Sequence, residues 1–501
     1  MIVRGKIVLP APGDSSAEIL SEAAVRIEEE RISEVAPWSD LHARYPREEI
    51  IGDGTQLLMP GFIDAHSHAR GLSPFRGGLG YDYLELWLPQ TACLPNPGSY
   101  LNALYSGVRH IHSGFTAMHY LPIPRIPLEE LKNDIDQGVS ALKSTGIRVA
   151  FSVSIKDQNF VSYDDDAFLS YLPRHLHNLV KKISHNEQRA LRQEFSELFS
   201  DFFTAYNTAC SPVLLGPAGA QWCSDSLLET VARLAEEHDT RIHLHALQTV
   251  YQKAYAERLF KESLIEHLES LGLLSPRLTL GHAVWLDDVD IDRLAERKAS
   301  VTHHLGCNLN MRNGIAPVGA CVRRGVRVAM GLDDKPFSEN EDAFQEMRLI
   351  AMLHRAQSPV FTEESLHSWD VLSMATEQAA WVIGLEGCCG RLEPGYCADM
   401  ILVDLESRLA KPFCAPEVDV RDLLLCSGSA SDVETVIVGG RVVMRDRKVL
   451  TVDEQALERE FHAAITSQMR IAKRGSFPIE LVSYLRGFYQ GWGLSEGRNS
   501  R

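Results

Sequence analysis

The stretch PGFIDAHSHA, Pro60 to Ala69, carries His66 and His68 one residue apart. Alternate side chains of an extended chain share a side, so both imidazoles can converge on one ion from the end of a strand. An HxH pair alone is a weak signal, because two surface histidines look the same. Three further stretches strengthen it. RIHLHALQT sets His243 and His245 at alternate positions, LTLGHAVWLDD sets His282 at the end of an apolar run, and VAMGLDDK carries Asp333 and Asp334. A divalent ion held by neutral imidazoles and one carboxylate keeps a position open for water and brings that water's pKa from about 15.7 toward roughly 7. Asp333 beside it can ligate weakly and take the proton as hydroxide attacks, while His282 can hold the charge that develops on the attacked group.

Such residues meet only if the chain brings distant segments to one face. Eight apolar, strand-like runs stand between about 59 and 384: Gly61 to Asp64, Thr116 to Tyr120, Arg148 to Val153, Val213 to Gly216, Arg241 to His245, Leu278 to His282, Ser300 to Thr302 and Val326 to Gly331. Each is followed by a stretch of helical periodicity, the pattern of a (β/α)8 TIM-like barrel, in which the carboxyl ends of all strands open on the same face. A charged and aromatic insertion near 160–206 has apolar residues at three- or four-residue steps (Leu179, Ile183, Leu191, Phe195, Leu198, Phe202), which predicts helices covering the barrel mouth. Residues 1–58 and 385–450 read as strands and turns, with Gly439-Gly440 as a hairpin signal, and predict a small β-sandwich built from both chain ends. Residues 451–501 predict a helical tail.

Composition narrows the class. The 501 residues include 50 Lys plus Arg against 67 Asp plus Glu, a net charge of −17, which disfavours a nucleic-acid or anionic-membrane binder. With 45% hydrophobic residues and no apolar run near the ~20 residues of a membrane span, the chain reads as an ordinary globular protein. The N-terminal MIVRGKIVLPAPGD predicts a first strand and not a signal peptide. Ten cysteines without a CxxC pair predict reduced thiols and a cytoplasmic location.

The chain resembles the amidohydrolase superfamily, in its branch of mononuclear metal deaminases and aminohydrolases, which contains cytosine and guanine deaminases, S-adenosylhomocysteine deaminase and triazine hydrolases. The resemblance runs through PGFIDAHSHA, IHLHALQT, LGHAVWLDD, VTHHLGCNLNMRNGIAPV, GLDDKPFSENEDAFQEMRLI and GRLEPGYCADMILVD, in order and spacing. It implies metal ligands at His66, His68, His245 and Asp333, a polarising histidine at His282, and His303 near substrate. The fourth run, VLLGPAGAQWCSD, offers no Lys, so the resemblance implies one divalent ion, zinc with iron as the alternative, and no bridged pair. A small-molecule substrate and a homodimer are expected with it.

Two departures stand out. Relatives carry HxxE after the fifth strand, where the Glu shuttles a proton onto a ring nitrogen; here that position is Gln248, and an amide cannot exchange a proton at neutral pH. Either His243, His303, His304 or Asp334 replaces it, or Gln248 only clamps a substrate. The second departure is GLDD in place of GTDG, which makes Asp334 either a support for a ligand histidine or a partner of Lys335. Gln221 and Trp222, with Cys223, follow the fourth run and are expected in the pocket, Trp222 as a stacking surface; Arg76 and Tyr81 are weaker candidates. The expectation is hydrolysis of a non-peptide C–N bond, as deamination of a nitrogen-rich heterocycle or amidine. Its rivals are ring opening or displacement of another leaving group, and an inactive metal-binding sensor.

Overall fold

The computed structural model describes residues 1–122, 128–186, 192–333, 339–356, 365–472 and 479–494. Eight strands follow one another in sequence and in space, each pairing in parallel with the next: Phe62–Ser67, Phe115–Tyr120, Arg148–Ile155, Val213–Pro217, Ile242–Ala246, Leu278–His282, Ser300–His303 and Arg327–Met330. They are short and nearly all buried because helices cover their outer faces and side chains fill the interior.

Among the described residues, the eighth strand meets the first only at the mouth, through a parallel bridge of Ser67 with Asp333. There the Asp333 N–H donates to the His66 carbonyl at 2.8 Å and the His68 N–H to the Asp333 carbonyl at 3.4 Å. Below that bridge the seam is closed by a side chain: Asp64 Oδ1 accepts from the backbone N–H of His66 (3.1 Å) and of Leu332 (3.0 Å). The two strands that supply three candidate ligands are therefore stitched together at the level of those ligands.

The chain ends share one nine-stranded mixed sheet. Ile2–Val8 pairs antiparallel with Leu20–Glu28 and parallel with Leu57–Pro60, and that last strand pairs antiparallel with Met400–Val403, which joins the two ends. The predicted hairpin lies between Val433–Val438 and Arg441–Arg445, with Gly439 and Gly440 at φ +55° and +72°, the left-handed conformations a two-residue turn of this kind requires.

The insertion divides. Its last helix, Arg192–Tyr206, buries Phe195, Phe199 and Phe202 in the main core beside the third and fourth strands, so it is the barrel's own crossover helix and not a cover over the mouth. Asp165–Tyr171 and Arg174–Asn186 instead pack, through Phe168, Leu172, Leu176 and Val180, with the C-terminal helix Ile479–Gln490. Leu191 and the side chain of Ile183 lie outside the described residues. No helix among the described residues is long and apolar enough to cross a membrane.

Candidate metal centre

Strand ends at the barrel mouth bring His66, His68, His245, His282 and Asp333 together. His68 Nε2 lies 3.2 Å and His66 Nε2 3.8 Å from Asp333 Oδ1, and His282 Nε2 lies 3.7 Å from Asp333 Oδ2. Ligand atoms of His66, His68 and Asp333, and of His66, His245 and His282, fall within 4.8 Å of one another. A register shift between Asp64 and Ser67 re-aims the end of the first strand, as bulges do beside active sites.

The opposite edge of each ring is held. His68 Nδ1 lies 2.6 Å from the Leu121 carbonyl, His245 Nδ1 2.9 Å from the Ala218 carbonyl, and His66 Nδ1 2.7 Å from His243 Nε2. Carbonyl partners on Nδ1 fix the tautomers of His68 and His245, as the supports of metal-bound histidines do, and the Nε2 atoms of His66 and His68 lie toward Asp333. His66 Nε2 is buried without a hydrogen-bond partner, and with Nδ1 donating to His243 it offers an unused lone pair that a cation would satisfy. Burial pushes His66 well below its usual range and His245 down to about 3, with neighbouring histidines adding to the effect. Burial alone would raise Asp333, but the His68 hydrogen bond and the nearby His282 hold it well below the usual carboxylate range. Neutral imidazoles beside an ionised carboxylate are a donor set fitted to a divalent cation.

Space and strain serve the same cluster. A Cβ on Gly331 would stand 2.7 Å from His66 Cβ and 2.8 Å from His304 Cδ2, so the eighth strand must be bare there to admit both rings. His282 (φ +73°) and Asp333 (φ +60°) adopt left-handed backbone, as do Ala69 and Leu247 just past other strand ends. Strain of this kind persists where surrounding structure over-determines it, and it collects at functional sites.

The remaining candidates scatter. Gln248 and Gln221 are buried, Gln221 with its Nε2 unpartnered, while the Gln248 N–H donates to Gln252 Oε1 at 2.8 Å. Half-buried Trp222 meets Tyr163 edge-on at 5.8 Å between ring centroids. Arg76 lies at the surface, 65% exposed, paired with Glu339 at 3.2 Å, and Tyr81 donates to the same carboxylate at 2.9 Å. His303 points outward, its Nε2 3.3 Å from that of His354 on the helix Ala343–Ala356. The next residue, His304, turns in, its ring 4.2 Å from that of His66 and its Nδ1 3.3 Å from His282 Nδ1. Asp334 and Lys335 lie outside the described residues.

Sequence reasoning missed the carboxylate bridge beneath the site. Asp64 Oδ2 accepts from His110 Nε2 at 2.9 Å, and His110 Nδ1 lies 3.5 Å from Glu341, all three buried. The Asp of FIDAHSH was visible as a charge in an apolar run; its partner, 46 residues further along the chain, was not.

Residues 57–443 match the Amidohydrolase family. The chain is 28% identical over 460 residues to a 5'-deoxyadenosine deaminase of Methanothermobacter thermautotrophicus, covering 91% of this chain and 95% of that one. It is also 28% identical over 457 residues to a 5-methylthioadenosine/S-adenosylhomocysteine deaminase of Syntrophomonas wolfei, covering 89% and 94%. In fold it is similar to a zinc-bound adenosine deaminase from Xanthomonas campestris (TM-score 0.77, 22% identity, 94% and 98% covered). A zinc complex of an atrazine chlorohydrolase from Arthrobacter aurescens is similar too (TM-score 0.77, 20% identity, 93% and 99% covered). The chain belongs to the amidohydrolase family and is a hydrolase of carbon–nitrogen bonds other than peptide bonds.

Proposed function

We propose that this chain is a zinc-dependent deaminase of a 6-aminopurine nucleoside modified at its 5' position, releasing ammonia. The observation that carries the reading is the carboxylate of Asp333, which faces His68 with one oxygen and His282 with the other, in a chain matched over nine-tenths of its length by deaminases of such nucleosides. His66, His68, His245 and Asp333 would hold the ion, whose contribution when bound is to acidify a water and polarise the group under attack.

The chain's own groups do the rest. Asp333, ionised at neutral pH, takes a proton from the attacking water and returns it to the departing nitrogen. His282 is oriented by Asn308, whose Oδ1 accepts from its Nδ1 at 2.9 Å, and its Nε2, once it has taken a proton by way of Asp333, donates to the ring atom that gains charge. Of the groups that could replace the absent glutamate, His243 is engaged with His66 and His303 faces away. His304 touches the cluster with a buried, unpartnered Nε2, and it is the proton relay we assign in place of a carboxylate at position 248. Gln248 then serves as a hydrogen-bonding clamp.

The same amide supports a second reading, hydrolytic displacement of a leaving group better than ammonia, which needs no protonated ring nitrogen. The purified protein is assayed against 5'-deoxyadenosine, 5'-methylthioadenosine, S-adenosylhomocysteine, an aminopyrimidine and a chlorotriazine, for ammonia and for halide, alongside elemental analysis. Ammonia released in step with loss of the 6-amino chromophore, and zinc in the active protein, are expected. Halide or ring-opened product without ammonia would replace the first reading by the second, and iron in the active protein would correct the metal. A cytoplasmic location, supported by ten free thiols, and a homodimer belong to the proposal, and sedimentation would test the assembly.

A further inference from the structure

At the closed, amino-terminal end of the barrel, three sulfurs stand in a triangle. Cys210 Sγ lies 2.7 Å from Cys388 Sγ and 3.4 Å from Cys397 Sγ, and Cys388 Sγ lies 3.2 Å from Cys397 Sγ. A fourth thiol, Cys389, interacts with Cys388 and Cys397 and donates to Asp399 Oδ2 at 3.2 Å. Backbone holds the set: the Cys397 N–H donates to the Cys388 carbonyl at 2.8 Å, and the N–H groups of Cys388 and Cys389 both donate to the Leu385 carbonyl at 3.0 Å. Arg148 lies alongside, bound to both oxygens of Asp399 at 2.7 and 2.9 Å and directed at the Cys210 carbonyl at 3.4 Å.

Three observations point to a common centre. A disulfide joins two sulfurs at about 2.05 Å and excludes a third, whereas here all three separations are similar. A tetrahedral thiolate zinc site with Zn–S near 2.3 Å sets its sulfurs about 3.8 Å apart, an expansion of roughly 0.4 to 1.1 Å from this triangle. The ligands also come from three separate segments: the turn before the fourth barrel strand, the loop after the helix Glu377–Val382, and the link that leads to Met400–Val403 in the end sheet. A clamp on such segments fixes the barrel to the sheet. The histidine cluster lies at the opposite ends of the barrel strands, and features at the amino-terminal face of such barrels act on stability.

We propose that Cys210, Cys388 and Cys397 form a second, structural site for a soft divalent cation, zinc by its tetrahedral preference, with Cys389 in reach of the fourth position. Each ligating thiol gives its proton to solvent, no electron moves, and the guanidinium of Arg148 offsets the negative charge of the thiolates. Half-exposed Cys210 leaves a way in for the ion.

The test separates this site from the one at the mouth. The full-length H66A/H68A variant, refolded or expressed with zinc, is expected to hold one zinc per chain; adding Cys388→Ser and Cys397→Ser is expected to remove it. Cobalt(II) added to H66A/H68A should give an intense near-ultraviolet sulfur-to-cobalt band that the added serines abolish. If those serines prevent folding, Cys210→Ser alone should weaken zinc binding at least tenfold and lower the melting temperature only in the presence of zinc. No metal and no charge-transfer band in folded H66A/H68A would overturn the proposal. So would a count of eight thiols (10 − 2), where ten are present in the sequence, after denaturing zinc-free protein without reductant, since that count means a disulfide.

Discussion

His66 and His68 are the residues on which the metal centre depends most. Both Nε2 atoms face Asp333 Oδ1, and removing both rings leaves one imidazole and one carboxylate, too few to close a site. The H66A/H68A variant is therefore expected to lose one equivalent of metal relative to wild type and all turnover, read by elemental analysis beside the ammonia assay. His282 behaves differently. Its Nδ1 is tied to Asn308, and as a transition-state donor it contributes to rate and not to metal retention, so His282→Asn is expected to keep the mouth ion and lower kcat by about 10² or more. Loss of the ion in that variant would make His282 a ligand. At Gln248 the sign is the informative quantity. A carboxylate added beside an ionised Asp333 disfavours negative charge on the attacking water, so Gln248→Glu should lower turnover of the native substrate near neutral pH and restore some of it at higher pH. A large gain at neutral pH would mean that His304 does not relay the proton.

At the scale of elements, the carboxyl ends of the strands were legible because each is an apolar run closed by a polar, chemistry-bearing residue; Leu278–His282 is found as read. The side a residue takes was less so. His303 was read as the substrate neighbour, yet Val301 packs in the outer core and strict alternation from it sends His303 outward and His304 inward, a signal present in the sequence but overridden by the motif. The thiol triangle and the Asp64–His110–Glu341 chain were not legible, because their members are joined only by tertiary packing. That chain carries its own prediction. Burial would lower His110, but the Glu341 charge and the Asp64 hydrogen bond outweigh it and raise its pKa to about 10. A histidine whose pKa rises on folding adds stability that is complete below its unfolded value near 6.5 and is lost as pH climbs through the folded value. Unfolding free energy of the wild type should therefore fall between pH 6.5 and 10. In His110→Ala, which strands buried Asp64 and Glu341 at a cost of about 3–5 kcal/mol, the fall through pH 10 should disappear, leaving the dependence of Asp64, whose pKa burial pushes up. Denaturant titrations across this range check both; an unchanged slope would mean the proton is held elsewhere.

At the scale of the whole molecule, the last helix reaches the mouth through a chain of contacts that no single element contains. Leu481, Leu485 and Tyr489 of Ile479–Gln490 are buried against Val161, Tyr163 and Phe168. The Tyr489 hydroxyl accepts from the Tyr163 N–H at 3.0 Å, and the Tyr163 hydroxyl donates to Glu85 Oε1 at 3.0 Å. Thr249, next to Gln248, donates to that same oxygen. Glu85 is buried, with Oε2 lacking a partner, so its position is set by these two hydroxyls, and burial pushes its pKa up. The tail thus fixes the loop that presents Gln248 without touching the metal ligands. Tyr489→Ala removes both the packing and the hydroxyl, so it should raise KM and lower kcat/KM by about tenfold while metal content stays at the wild-type level. Tyr489→Phe keeps the ring and loses one hydrogen bond of about 1 kcal/mol, roughly a fivefold effect at most if all of it reaches the loop. Were Phe to match wild type while Ala did not, packing alone would carry the coupling. Were both to match wild type, the tail would be an attachment with no hold on the site.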